Sequence, residues 1–260
     1  MAHVLHLALP QFQAFVIVVM RVAGLLAAWP ILGSRAVPLQ IKTGLVVMLG
    51  LVLVPIVRVP ESPGDPVLLT AGMGTEFLIG MVIGLAVRVL FAGIELAGEL
   101  IGTQMGLSVV QLFDPTTAQQ VPLVGQFQTM IASLVFLSVN AHMMVVRAIA
   151  ESFEMIPPFG ARLSSMLMED VLRLSTDLFA VAIKLAAPVV AVALMVNLAM
   201  AIIGRGVPQM NVFVLTFPLT IAAGLLVLGA SMPYAVGLMQ SEYGRLTGTV
   251  HDLLRVLGHG

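Results

Sequence analysis

Cysteine is absent from the 260 residues, which excludes disulfides and thiolate metal sites and leaves the redox state of the compartment unmarked. Charge is scarce. Lys, Arg, Asp and Glu make up 10% of the chain against roughly 25% in a soluble domain, while apolar residues reach 59%. That imbalance excludes a water-soluble globule and requires an integral membrane protein. A dominant charge sign is also lacking: 12 Lys+Arg face 13 Asp+Glu, so there is no electrostatic footprint for nucleic acid. The opening MAHVLHLALPQF has no Lys or Arg before its apolar run, so the first run is expected to be mature protein rather than a cleaved signal. HExxH, GxSxG, P-loop and GxGxxG motifs are missing, and His142 has no second ligand at metal-like spacing. The expectation is a non-enzyme with no cofactor and no metal.

What is present is an all-α, multi-pass pattern of about six long apolar segments, several of them kinked. They cover about Phe12–Leu32, Ile41–Val57, Leu68–Leu96, Leu123–Ile149, Leu174–Ile203 and Val212–Leu238. Trp29-Pro30 closes the first, and Pro218 and Pro233 are expected to bend the last. The tail 240–260 places Val250, Leu253, Leu254 and Leu257 at helical spacing, which predicts a terminal amphipathic surface helix. Lys and Arg favour one set of alternate links only mildly, which puts both termini in the cytoplasm.

Charges inside apolar segments do not face lipid. Arg21 is either a paired or snorkelling arginine or a lumen-facing charge. Arg88, Glu95 and Glu99 fall within about 40° of one helical face, as an internal packing network or a stripe lining a lumen. Lys184 lies deep in the fifth segment and needs a partner in this chain or a neighbour. Gly80-x-x-x-Gly84 is a notch for close helix approach, and Gly98, Gly102 and Gly106 repeat its spacing. The 17 methionines suit either ordinary core filling or a deformable seal.

The stretch 98–126, GELIGTQMGLSVVQLFDPTTAQQVPLVGQ, organises the rest. It lies between two membrane-length runs, yet Leu100, Ile101, Met105, Leu107, Val109, Val110, Leu112 and Phe113 make it half apolar, with only Glu99 and Asp114 charged. A solvated loop avoids such a cluster. Non-helical backbone at membrane depth is sheltered by protein or lines a cavity. The segment is therefore expected to fold back inside an assembly and obstruct or line a passage.

Gly102-Thr103-Gln104-Met105-Gly106-Leu107, followed by Phe113-Asp114-Pro115, resembles the signature of the FliR family of flagellar export-gate proteins. Pro208-Gln209-Met210-Asn211-Val212-Phe213, followed by Phe217-Pro218-Leu219, resembles that family's second hallmark and is closer to flagellar than to injectisome members. The chain departs at Thr216 and Thr220, where the family often has Gly and Lys. Order, spacing and length match over essentially the whole chain.

The resemblance implies helical hairpins packed in a helical hetero-oligomeric shell with FliP and FliQ. FlhB and FlhA would lie nearby, and exported flagellar proteins would pass as transient substrates. Residues 1–150 would be a FliP-like half and 151–173 a charged connector. Residues 174–240 would form a FliQ-like hairpin, followed by the tail at 241–260. The location would be the bacterial inner membrane within the flagellar basal body. A pore plug would map to 104–121, including Gln104, Met105, Gly106, Leu107, Val110, Leu112, Phe113, Asp114 and Pro115. Arg205, Pro208, Gln209, Met210, Asn211, Phe213, Phe217 and Pro218 would form a subunit-packing motif. Beside this channel reading stands a secondary transporter with a midplane site at Glu95, Glu99 and Lys184.

Overall fold

Proline and asparagine mark where the helices begin and stop. The computed structural model describes residues 2–34, 37–57, 66–107, 122–161, 166–207 and 211–259. Helix α1 (Ala2–Ala28) ends at Trp29-Pro30, where the Gly33 N–H bonds back to the Trp29 carbonyl at 2.8 Å. Pro38 precedes α2 (Leu39–Leu53), which runs into a short 3-10 turn, Val54–Ile56. Helix α3 (Pro66–Gln104) starts on a proline, whose missing N–H would be unsatisfied there anyway. Pro122 precedes α4 (Leu123–Ser138), and Asn140, with φ of +55°, precedes α5 (Ala141–Met155). Helix α6 (Met166–Gly206) carries Glu169 in its first turn and Arg205 in its last, each complementing the helix dipole. Asn211 caps α7 (Val212–Ala230), its Oδ1 accepting the Val214 N–H at 3.4 Å. Helix α8 (Met232–His259) follows. The described residues contain no strand, as the all-α expectation required.

Four helical stretches are long and apolar enough to cross a membrane, and six if each bent pair counts as one span. Two expected boundaries move. Helix α3 continues through Gln104, so the non-helical stretch begins at Met105 and not at Gly98. The expected fourth segment is two helices bent by 66° at Asn140, whose left-handed backbone breaks the run. The sixth segment bends by 54° at Ser231, just ahead of Pro233 as expected, while α7 continues through Pro218.

The helices sort into two compact units, and α3, α6 and α8 each contribute to both. Unit 1 comprises residues 1–89, 140–175 and 243–260. Here α2 packs on α1. Helices α1 and α3 cross at backbone contact: a Cβ at Gly80 would strike the Arg21 carbonyl, and one at Gly84 would lie 2.7 Å from Ala28 Cβ. The Gly80–Gly84 notch is thus filled by α1. Ile17, Val18, Val22 and Leu25 of α1 and Ile79, Ile83 and Val87 of α3 are buried in this unit, all 1% exposed or less. Val250, Leu253, Leu254 and Leu257 are buried as well, while Arg245, Asp252 and Arg255 on the other side of α8 are exposed, so the end of the chain is an amphipathic helix with its apolar face packed on protein.

Unit 2 comprises residues 90–139 and 176–242. Its α3 and α4 segments cross where Gly98 lies against the backbone of Gly125, a fit that any side chain would block. Two turns back along α3 from this crossing, Phe91 packs edge to face on Phe136 of α4, ring centroids 5.6 Å apart. The divisions between the two units at 89–90, 175–176 and 242–243 fall within α3, α6 and α8.

Candidate functional site

The end of α3 is shaped by a specific backbone motif. The Leu107 N–H bonds to the Gly102 carbonyl and the Gly106 N–H to the Thr103 carbonyl, both at 3.0 Å. Gly106 sits at φ of +80°. This is a Schellman C-cap, and its left-handed residue is almost always glycine because a Cβ clashes there. The GTQMGL stretch is therefore a helix stop that aims the following chain in a fixed direction.

Side chains of α7 hold that stop in place. A Cβ on Gly106 would lie 2.7 and 2.8 Å from the ring of Phe217. Met105 is 0% exposed and fills the space beside Gly224: a Cβ there would lie 2.6, 2.8 and 2.9 Å from Met105 Cγ, Sδ and Cε. At the other root, Gly125 in the first turn of α4 rests on α3 at Gly98. Both ends of the chain leading into and out of residues 108–121 are thus pinned within unit 2.

Of the residues singled out by sequence, Gln104 ends α3 half-buried, and Met105, Gly106 and Leu107 form the stop. Val110, Leu112, Phe113, Asp114 and Pro115 lie outside the described residues, as do Pro208, Gln209 and Met210. Asn211 is the N-cap of α7, Phe213 is in its first turn, Phe217 covers Gly106, and Pro218 is exposed within the helix. Arg205 is exposed in the last turn of α6. Arg88, Glu95 and Glu99 are exposed along one face of α3, and Thr103 continues that line to the stop. The packing network expected among them is not made: none of the three has an ion-pair partner among the described residues. Lys184 is exposed on α6, likewise without one. Thr220, one of the two departures from the resemblance, is buried, and its hydroxyl bonds to the Thr216 carbonyl at 2.8 Å and lies 3.5 Å from Asn197 Oδ1.

Arg21 belongs to unit 1 and to none of these. Its side chain is 0% exposed, so it lines no lumen. Nε and Nη2 reach Glu76 Oε2 at 2.7 and 2.6 Å, Nη1 donates to Ser152 Oγ at 2.9 Å, and Nη2 donates to the Ile156 carbonyl at 3.0 Å. The guanidinium also stacks 3.9 Å from the Phe153 ring centroid. Glu76 Oε1 accepts the Phe159 N–H at 3.1 Å. Sequence reasoning passed over Glu76, Ser152 and Phe159. The available signal was Glu76 itself, a second lone charge in an apolar run.

Residues 12–246 match the family described as bacterial export proteins, family 1. The chain is 32% identical over 255 residues to the flagellar biosynthetic protein FliR of Bacillus subtilis (strain 168), covering 95% of this chain and 96% of the relative. It is 29% identical over 238 residues to FliR of Escherichia coli (strain K12), covering 92% and 91%. FliR of Aquifex aeolicus (strain VF5) is 30% identical over 224 residues, covering 86% of each.

The chain belongs to the FliR family of bacterial export proteins. Membership, together with helices of membrane-crossing length, makes it a membrane component of flagellar export. The described residues of the two stretches that carry the resemblance, 102–107 and 211–219, lie in unit 2, with Gly106 of the first under Phe217 of the second.

Proposed function

We propose that this chain is a channel subunit of the flagellar protein-export gate, and that residues 104–121 plug the passage through which unfolded flagellar proteins leave. It assembles with FliP and FliQ, near FlhB and FlhA, in the inner membrane within the basal body. One observation carries the reading: the apolar segment is held at both roots, by Met105 and Gly106 against α7 and by Gly125 against Gly98. A segment anchored this way is positioned, as a stopper must be. An apolar stopper excludes ions by dewetting and needs no charge barrier.

Assembly into a larger shell is supported by the apolar residues left exposed: Met48, Leu51 and Val52 on α2, Met195, Leu198 and Ile202 on α6, and Leu226 on α7. Surfaces of this kind are covered by lipid or protein. Helices α6 and α7 fit the FliQ-like hairpin at 174–240, with the FliP-like half before it. The exposed stripe of Arg88, Glu95, Glu99 and Thr103 suits a wet or subunit-facing side. Glu95, Glu99 and Lys184 are each exposed, so within this chain they enclose no solute site and the transporter reading gains no support.

The test is conductance of the reconstituted hetero-oligomer with residues 106–115 deleted. A rise in ion leak is expected. A leak equal to wild type in a fully assembled complex rules out the plug.

A further inference from the structure

Both ring nitrogens of His251, on α8, face oxygen. Nδ1 lies 2.8 Å from the Thr247 carbonyl, one turn back on the same helix, and Nε2 lies 3.2 Å from Glu151 Oε2 on α5. A carbonyl oxygen only accepts, so Nδ1 carries a proton. An ionised carboxylate also only accepts, so a neutral ring with its proton on Nδ1 turns a bare nitrogen toward Glu151. Oε2 is buried and has no other partner among the described residues. One further proton between Nε2 and Oε2 converts this contact into a hydrogen bond. We propose that His251 and Glu151 form a proton-binding site: the bound proton ties the end of α8 to α5, and its loss undoes the tie. The two residues belong to unit 1, and the proposal is independent of the plug.

A second contact shows what the tie holds down. Gly258 is two turns further along α8, and a Cβ there would lie 3.1 Å from the Met155 carbonyl and 3.4 Å from Ile156 Cγ1. The last turns of α8 therefore lie on the last turn of α5. That contact is apolar and close, and protons do not alter it. The neighbours of Glu151 on α5 serve Arg21: Ser152 Oγ and the Ile156 carbonyl accept its guanidinium N–H groups. The Arg21–Glu76 pair is fully enclosed, whereas the His251 and Glu151 side chains are 33% and 36% exposed. The inner pair is permanent, and the outer one can exchange its proton with water.

Other charges of unit 1 leave the pair to itself. On α5, Arg147 and Glu154 lie about one turn either side of Glu151 and are exposed. On α8, Asp252 and Arg255 follow His251 and are exposed, as is Arg245 before it. Arg21 of α1 and Glu76 of α3 close on each other, and Lys42 of α2 donates to the Gly33 carbonyl. Arg88 of α3 and Glu169 and Arg173 of α6 are exposed, and Asp170 is half-buried. Among the described residues, none of these makes an ion pair with His251 or Glu151. An ordinary imidazole changes charge between about pH 5 and 8, so the tie is present at the acid end of that range and lost at the other.

The experiment is amide hydrogen exchange of residues 252–259 in the full chain in detergent, at pH 5.5 and pH 8, for wild type, His251→Ala and Glu151→Gln. Dividing each variant's rate by the wild-type rate at the same pH cancels the intrinsic pH dependence of exchange. For His251→Ala this ratio is expected to be about threefold larger at pH 5.5 than at pH 8, equivalent to about 0.7 kcal/mol for a part-exposed pair. Glu151→Gln keeps the shape of the side chain and offers either an N–H or an oxygen to the ring, so its contact survives at both pH values. Its ratio to wild type is therefore expected to shift between the two pH values in the same sense. A ratio that is the same at pH 5.5 and pH 8 means that the residues only fill space, and overturns the proposal. Should His251→Ala fail to fold, the Glu151→Gln ratio decides by itself.

Discussion

Removing the Glu76 carboxylate strands more than one group. Glu76 accepts Arg21 Nε and Nη2 through Oε2 and the Phe159 N–H through Oε1, with both side chains 0% exposed. Glu76→Ala leaves a buried guanidinium without its counter-charge, which costs about 3–5 kcal/mol. It also orphans a backbone donor, a further loss of about 1–3 kcal/mol. Against a total stability of roughly 5–15 kcal/mol, that is enough to empty the folded state or come close to it. The replacement Arg21→Met with Glu76→Met removes both charges. Ser152 keeps its bond to the Ile149 carbonyl, and only the Phe159 N–H and the Ile156 carbonyl are left unpaired. The double variant should therefore be less damaged than Glu76→Ala alone. Denaturant titration of the purified chain in detergent measures this, with cooperative loss of helix as the signal. If Glu76→Ala unfolds at the wild-type midpoint, or the double variant loses the full sum of the singles, the pair does not hold unit 1 together.

Gly98→Val drives a branched side chain into the backbone of Gly125 and is expected to abolish co-purification with partner subunits, whereas Gly244→Val, where a Cβ meets nothing within 4 Å, should leave it intact. Asn211→Ala removes the α7 cap, worth about 0.5–2 kcal/mol and here near the low end given the 3.4 Å bond. Faster hydrogen exchange at the Val214 amide, with Ala230 unchanged, is the expected sign.

Much of the helical plan was readable because apolar runs of membrane length leave little choice of structure. Gly80 and Gly84 were also readable, since their spacing states a close approach and α1 supplies it. The break at Asn140 was not, because apolar content continues smoothly across it and a single left-handed residue does not interrupt hydropathy. The bend ahead of Pro233 was announced by that proline, whereas α7 runs on through Pro218. Arg21 stayed open between two readings because its partner is 55 residues away and only packing decides which charges meet. At the candidate site, Gly98, Gly102 and Gly106 stood out as a repeated close-approach spacing, yet the structure makes Gly106 the left-handed residue of a helix cap. The seat of Met105 at Gly224 joins residues remote in the chain and leaves no local pattern.

The buried arginine also constrains how the protein is made. Arg21 leaves the ribosome 55 residues ahead of Glu76, and Ser152 follows 131 residues after it. Until Glu76 arrives, the first helix carries a bare cation whose transfer into hydrocarbon is unfavourable by about 2.5–3.5 kcal/mol. Pairing with Glu76 removes that cost, so synthesis of α3 favours α1 and α3 being stabilised in the membrane together.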